Sequence, residues 1–272
     1  LSSRPTYTET ENDLTVKANK RTFIFSKKDG QLKGVSVDNR KISFANGPRF
    51  IGARRADRSL DQFYNHDDEK AKEKDRTYSE FPDAAVFTKL DVKEDGGNLV
   101  VTANYKLGNL DKAQWTINPS GELALDYTYN FSGVVDLMGI RFDYPEDQVI
   151  SKRWLGAGPY RVWQNRIHGT QYDVWENDYN DPIPGETFTY PEFKGYFGNV
   201  SWMNIQTKEG TISLTNETPD AYIGVYQPRD GRDRLLYTLP ESGISVLNVI
   251  PPVRNKVNST DLCGPSSQPK WV

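Results

Sequence analysis

The dominant signal along the chain is alternation of apolar and polar residues with a period of two. Its clearest stretch puts Leu123, Leu125, Tyr127, Tyr129 and Phe131 on one face and Ala124, Asp126, Thr128 and Asn130 on the other. That is the pattern of a strand with one face on a core and the other in solvent. Met138, Ile140, Phe142 and Tyr144 alternate in the same way with Gly139, Arg141 and Asp143, and shorter runs recur at 21–26, 32–37, 99–107, 200–206, 221–227 and 245–250. Asp29-Gly30, Asp95-Gly96-Gly97-Asn98, Asn118-Pro119-Ser120-Gly121 and Glu209-Gly210 each separate two such runs. These are the residues that tight hairpin connections need, so sequence neighbours are expected to pair antiparallel. No stretch keeps a 3.6-residue apolar spacing, which removes a doubly wound nucleotide-binding unit and a (β/α)₈ barrel. An all-β sandwich is expected. The one helix-like stretch, 66–80, carries ten charged side chains and no apolar stripe and reads as a solvated loop. With no internal repeat and no Pro/Ser-rich linker, residues 1–272 read as a single domain.

Charge and composition narrow the partners. Thirty-four Lys and Arg against 37 Asp and Glu give a formal charge of −3, so no general attraction to nucleic acid or to an anionic membrane is expected. No apolar run reaches the roughly 18 residues that a spanning helix requires. A single cysteine, Cys263, excludes an internal disulfide. His66 and His168 are the only histidines and form no zinc-type cluster with it. Asp178, Asn180 and Asp181 offer oxygen ligands but lack the glycine and closing glutamate of an EF-hand loop. Neither a metal nor a cofactor is therefore expected.

Aromatic residues make up 12% of the chain, and four of the six tryptophans (Trp154, Trp163, Trp175 and Trp202) fall within 49 residues, with Tyr160, Tyr172, Tyr179, Tyr190 and Tyr196 among them. From 153 to 195 the alternation fades while Gly, Pro, Asn and Asp rise, which predicts long irregular connections rather than pleated strand. Aromatic faces on such loops suit stacking on the C–H faces of a sugar, with arginines and carboxylates at its hydroxyls. The same side chains equally suit plugs at the ends of a wide sandwich, and both readings stay open. The residues nominated for carbohydrate are Tyr160, Trp163, Arg166, Trp175 and Glu192; Arg166 and Glu192 also suit a structural ion pair.

Four collinear blocks carry a family resemblance. Arg153-Trp154-Leu155-Gly156-Ala157-Gly158-Pro159-Tyr160, followed by Trp163 and Asn165-Arg166, resembles the Gly-X-Gly-Pro, aromatic, Asp-Arg signature in the last domain of β-galactosidases of glycoside hydrolase family 2. Tyr190-Pro191-Glu192-Phe193-Lys194-Gly195, with Val200-Ser201-Trp202 after it, is similar to that domain's Pro-Gln-Glu-X-Gly and Val-Arg-Trp segment. Gly47-Pro48-Arg49-Phe50 through Ala53-Arg54-Arg55-Ala56-Asp57 resembles its early Gly-Pro and Arg-Ala-Pro-Thr segment, and Cys263-Gly264-Pro265 its late Cys-Gly-Pro. The opening, Phe23 to Leu32, resembles the family's first hairpin.

The resemblance implies a galactose-mutarotase-like antiparallel β-supersandwich that packs beside a catalytic barrel. It also implies that this chain supplies no catalytic residue, because the family's two glutamates, a nucleophile and an acid/base about 5 Å apart, belong to that barrel. The implied partners are carbohydrate and the barrel of the same parent polypeptide, in a periplasmic or extracellular setting. The chain departs from the pattern at Glu192, at Ser201 before Trp202, at Asn165, and at Cys263, where some members place a tryptophan that enters the active site. Two other functions fit the residues: a free-standing aldose 1-epimerase, for which His168 and Glu192 are the only acid and base to nominate, and an independent carbohydrate-binding module.

Overall fold

Alternation becomes pleated strand nearly wherever the sequence carries it. The structure, a computed structural model, describes residues 3–55, 78–178, 195–218, 220–225, 243–252 and 264–272. These form twenty strands, two short 3-10 turns and no α-helix. In chain order the strands are β1 (Thr6–Glu9), β2 (Asp13–Ala18), β3 (Arg21–Ser26), β4 (Leu32–Val37), β5 (Arg40–Ile42), β6 (Ala45–Arg55), β7 (Tyr78–Glu80), β8 (Val86–Asp95), β9 (Asn98–Lys106) and β10 (Leu110–Ile117). They continue as β11 (Leu123–Tyr129), β12 (Val134–Val135), β13 (Leu137–Asp143), β14 (Val149–Gly158), β15 (Gln171–Asp178), β16 (Trp202–Thr207), β17 (Gly210–Thr215), β18 (Tyr222–Val225), β19 (Ile244–Val249) and β20 (Lys270–Trp271). The chain groups into two compact units, Leu1–Phe50 with Pro82–Phe131 and Ile140–Tyr144, and Ile51–Phe81 with Ser132–Gly139 and Pro145–Val272.

The first unit is a sandwich of two antiparallel sheets. One runs β1-β2-β3-β4-β6 and the other β11-β10-β9-β8. Rings fill the space between them. Phe25 of β3 and Phe142 of β13 pack on Trp115 of β10 with centroids 6.0 and 5.9 Å apart, and Phe50 of β6 meets Tyr129 of β11 at 5.9 Å. Such tilted and edge-on pairs contribute beyond the area they bury. The β3–β4 turn shows why its glycine is required: Gly30 has φ +74°, and a Cβ there would collide with Phe87 and Ala103. The phenol of Tyr105 donates to the carbonyl of Asp29 at 2.9 Å, fixing the same turn on β9.

Burial makes the tyrosines of this unit sensitive to alkali. Removal from water pushes Tyr127 up to about 12, and burial with the neighbouring Tyr127 pushes Tyr129 up to about 12 as well. Burial, then the carboxylates of Asp29 and Asp83, raises Tyr105 further. An unfolded phenol ionises near pH 10, so folding favours the protonated form. The stability these groups contribute is whole below pH 10 and is lost as pH rises through their folded values. Thermal midpoints should therefore stay level up to about pH 10 and fall above it. Phenolate absorbance from these three tyrosines should appear together with unfolding rather than before it.

The second unit holds the four-stranded antiparallel sheet β15-β14-β16-β17, the pairs β18–β19 and β12–β20, and parts of β6 and β13. Its core cluster is Ile51, Ala53, Leu137, Val162, Trp163, Tyr196, Leu247 and Ile250. One expectation is corrected here. The stretch from 153 to 195 is not irregular throughout, because 153–158 belong to β14 and 171–178 form β15. A register shift between Val149 and Ser151 leaves Ile150 exposed and turns Lys152 and Trp154 inward. Gly156 and Gly158 then occupy the inward positions that an apolar alternation would mark. At Gly156 a Cβ would press on the backbone of Gly198 to Val200, and at Gly158 it would overlap the indole of Trp175. Strand β15 is an edge with most of its side chains in solvent, so it too lacks the signal.

Candidate functional site

The clustered aromatics separate by what their neighbours do. Trp154 lies fully inside, its ring edge-on to Phe197 at 4.8 Å and its indole N–H donated to the carbonyl of Ala157 at 3.0 Å. Trp163 is 3% exposed, stands at 84° to Tyr196 with centroids 5.7 Å apart, and belongs to the core cluster. Its polar neighbours are used internally. The Gln164 backbone N–H donates to the carbonyl of Pro251 at 3.0 Å, and its Nε2 donates to the carbonyls of Ser266 at 3.1 Å and Gln268 at 2.8 Å. Asn165 Nδ2 reaches Ser267 Oγ at 3.2 Å. The loop is thereby fastened to the 3-10 turn Pro265–Ser267 and closed on itself by the bond from Arg166 N–H to the Trp163 carbonyl at 2.9 Å.

Trp175, Tyr160 and Arg166 reach the surface to different degrees. Trp175 faces Trp154 across β14 and β15, half-buried, with its indole N–H shared between the carbonyls of Gly156 at 3.2 Å and Gln171 at 3.3 Å. Tyr160 is half-buried two residues beyond Gly158, on which Trp175 packs, and its hydroxyl donates to the carbonyl of His168 at 3.1 Å. Arg166 and His168 are exposed. Glu192 lies outside the described residues, as do His66, Asn180, Asp181 and Cys263. Among the described residues no group of three or more His, Cys, Asp or Glu is placed to hold a metal ion, and no helix is long and apolar enough to cross a membrane.

Sequence reasoning passed over two buried cations. Lys152 and Arg161 are both enclosed near one ring, Lys152 Nζ 5.9 Å and Arg161 Cζ 5.7 Å from the centroid of Phe197. Both are within reach of the ring's negative face. The only hint in the sequence is a lysine two positions before an inward tryptophan, legible once the register shift is known.

The clamp on the Trp163 loop makes a testable demand. Gln164→Ala removes two part-buried hydrogen bonds, to the carbonyls of Ser266 and Gln268, and should cost about 1–3 kcal/mol. Backbone amides at 265–272 should then exchange with solvent faster while those of the first unit keep their rates.

Residues 17–249 match the family described as β-galactosidase small chain, and the chain belongs to that family. No curated protein matches it. The antiparallel all-β fold agrees with the sandwich-type domain of that family, and the motif blocks at 153–166 and 195–202 lie within the matched span.

Proposed function

We propose that this chain is the non-catalytic β-domain of a family 2 glycoside hydrolase of β-galactosidase type. In that role it packs beside the catalytic barrel and lends the Tyr160, Arg166 and Trp175 side of the second unit to carbohydrate. The supporting observation is the family match over 17–249, together with a Gly-X-Gly-Pro block whose glycines make room for Trp175 and for the 198–200 backbone. Trp163 serves this role by packing beneath the loop rather than by offering a face to sugar.

Calorimetric titration with galactose and lactose, on the chain alone and on the chain with its barrel, tests the proposal. Arg166→Ala and Trp175→Ala should weaken binding by about tenfold each while leaving the thermal midpoint within a few degrees. Unchanged affinity in both variants would remove this side of the domain from sugar binding.

A further inference from the structure

We infer that the outward face of the β15-β14-β16-β17 sheet is a second carbohydrate-binding surface, one that takes a neutral, extended oligosaccharide and is separate from the Trp175 side. Cross-strand register defines it. Directly opposed residues share a face, so Val174, Leu155 and Trp202 form one row across β15, β14 and β16, on the side opposite Trp154, Trp175 and Met203. Tyr172 adjoins the row, opposite Ala157. Tyr172 is 53% exposed and Val174 41%, while Leu155 and Trp202 are half-buried.

Two observations set the chemistry of the occupant. First, the Tyr172 hydroxyl and Ser201 Oγ share a hydrogen bond of 2.6 Å, so the phenol is held down at its tip and its ring remains open to solvent. A tethered ring loses little freedom when an apolar face stacks on it. Second, the neighbouring row balances its charges: Arg153 stands between Glu176 and Asn204. The next row runs from Asp178 through Ser151 and Gln206 to Thr211, and Gln206 Oε1 accepts from the Thr211 hydroxyl at 2.7 Å, leaving amide donors for a ligand. No basic cluster is present on these rows to favour an acidic glycan. An apolar aromatic strip beside a few charges of both signs and amides complements a chain of pyranose rings, apolar on their faces and hydroxylated at their edges. With strands about 4.8 Å apart, the row from Val174 to Trp202 spans about 10 Å, the length of about two sugar rings.

The test is affinity electrophoresis and calorimetry of the 272-residue chain with β-1,4-galactan, and with polygalacturonate as the anionic counterpart. Galactan should bind, polygalacturonate should bind more weakly, and Tyr172→Ala and Trp202→Ala should each weaken galactan binding by about tenfold. Tyr172→Phe, which keeps the ring, should retain most of the affinity. Because galactan also offers galactose units to the Trp175 side, a readout local to Tyr172 separates this surface from the one in the proposed function. In the unaltered chain, galactan should slow nitration of Tyr172, a readout that does not depend on any variant folding. Absence of galactan binding, equal binding of the acidic glycan, or nitration at the same rate with and without galactan would overturn the inference. So would shielding of Tyr172 by the catalytic barrel when the two associate, because the face would then be a protein interface.

Discussion

Trp154→Ala should be the most damaging single substitution on the second unit, lowering stability by about 3–5 kcal/mol. The indole is fully enclosed, packs edge-on against Phe197 at 4.8 Å, and satisfies the Ala157 carbonyl. Truncation leaves a cavity under the central strand of a four-stranded sheet and a buried carbonyl without its donor. It also removes the indole packed against Phe197, the ring that Lys152 and Arg161 both approach. For a protein of this size the thermal midpoint should fall by about 10 °C. Trp154→Phe keeps most of the ring and loses only the N–H, so its cost should be nearer 1–2 kcal/mol. Calorimetric melts of the two variants against the unaltered chain check both values. Equal losses would mean that the hydrogen bond, rather than packing, dominates.

Gly195→Ala should cost about as much by the opposite mechanism, overpacking. A Cβ at position 195 would be driven into the carbonyl of Val162. That carbonyl cannot move aside, because the Val162–Tyr196 bridge is closed by bonds of 2.7 and 2.8 Å and both residues are in the core cluster. The backbone of the bridge has to part, taking the edge contact between Trp163 and Tyr196 with it. A loss of about 3 kcal/mol is expected. A circular dichroism melt would show it as a lower midpoint, and Trp163, drawn toward water, would shift tryptophan emission to longer wavelength. Retention of the parent midpoint would mean that the bridge can shift without loss.

Strands β3 and β4 were legible to the residue at both ends, because each has one buried face and ends at a turn whose chemistry is local. Strands β14 and β15 were hidden for physical reasons. In β14 the register shift at Ile150 breaks the parity of the pattern, and the inward positions 156 and 158 are glycines because backbone and an indole occupy the space a side chain would fill. In β15 the edge position leaves no apolar face to read. Trp163, for which the sequence leaves stacking on sugar and packing both open, lies in the core cluster. Its polar neighbours Gln164, Asn165 and Arg166 suggest a solvated loop, yet two of these side chains bond to the distant turn at 265–268 and the ring turns inward. Only long-range contacts distinguish polarity spent inside the protein from polarity offered to a ligand. Tyr172 shows the converse, since its exposure follows from facing Ala157 across an edge pair.

The central claim is that this domain serves a catalytic barrel rather than catalysing by itself. Complementation measures that most directly. The chain should be produced separately from a family 2 barrel of the same organism, and hydrolysis of a chromogenic β-galactoside followed for each alone and for the mixture, with polarimetry of galactose on the chain alone. The account predicts no hydrolysis and no anomer interconversion by the chain, weak hydrolysis by the barrel, and activity restored when the two co-elute. Turnover by the chain alone, or a barrel fully active without it, would contradict the account.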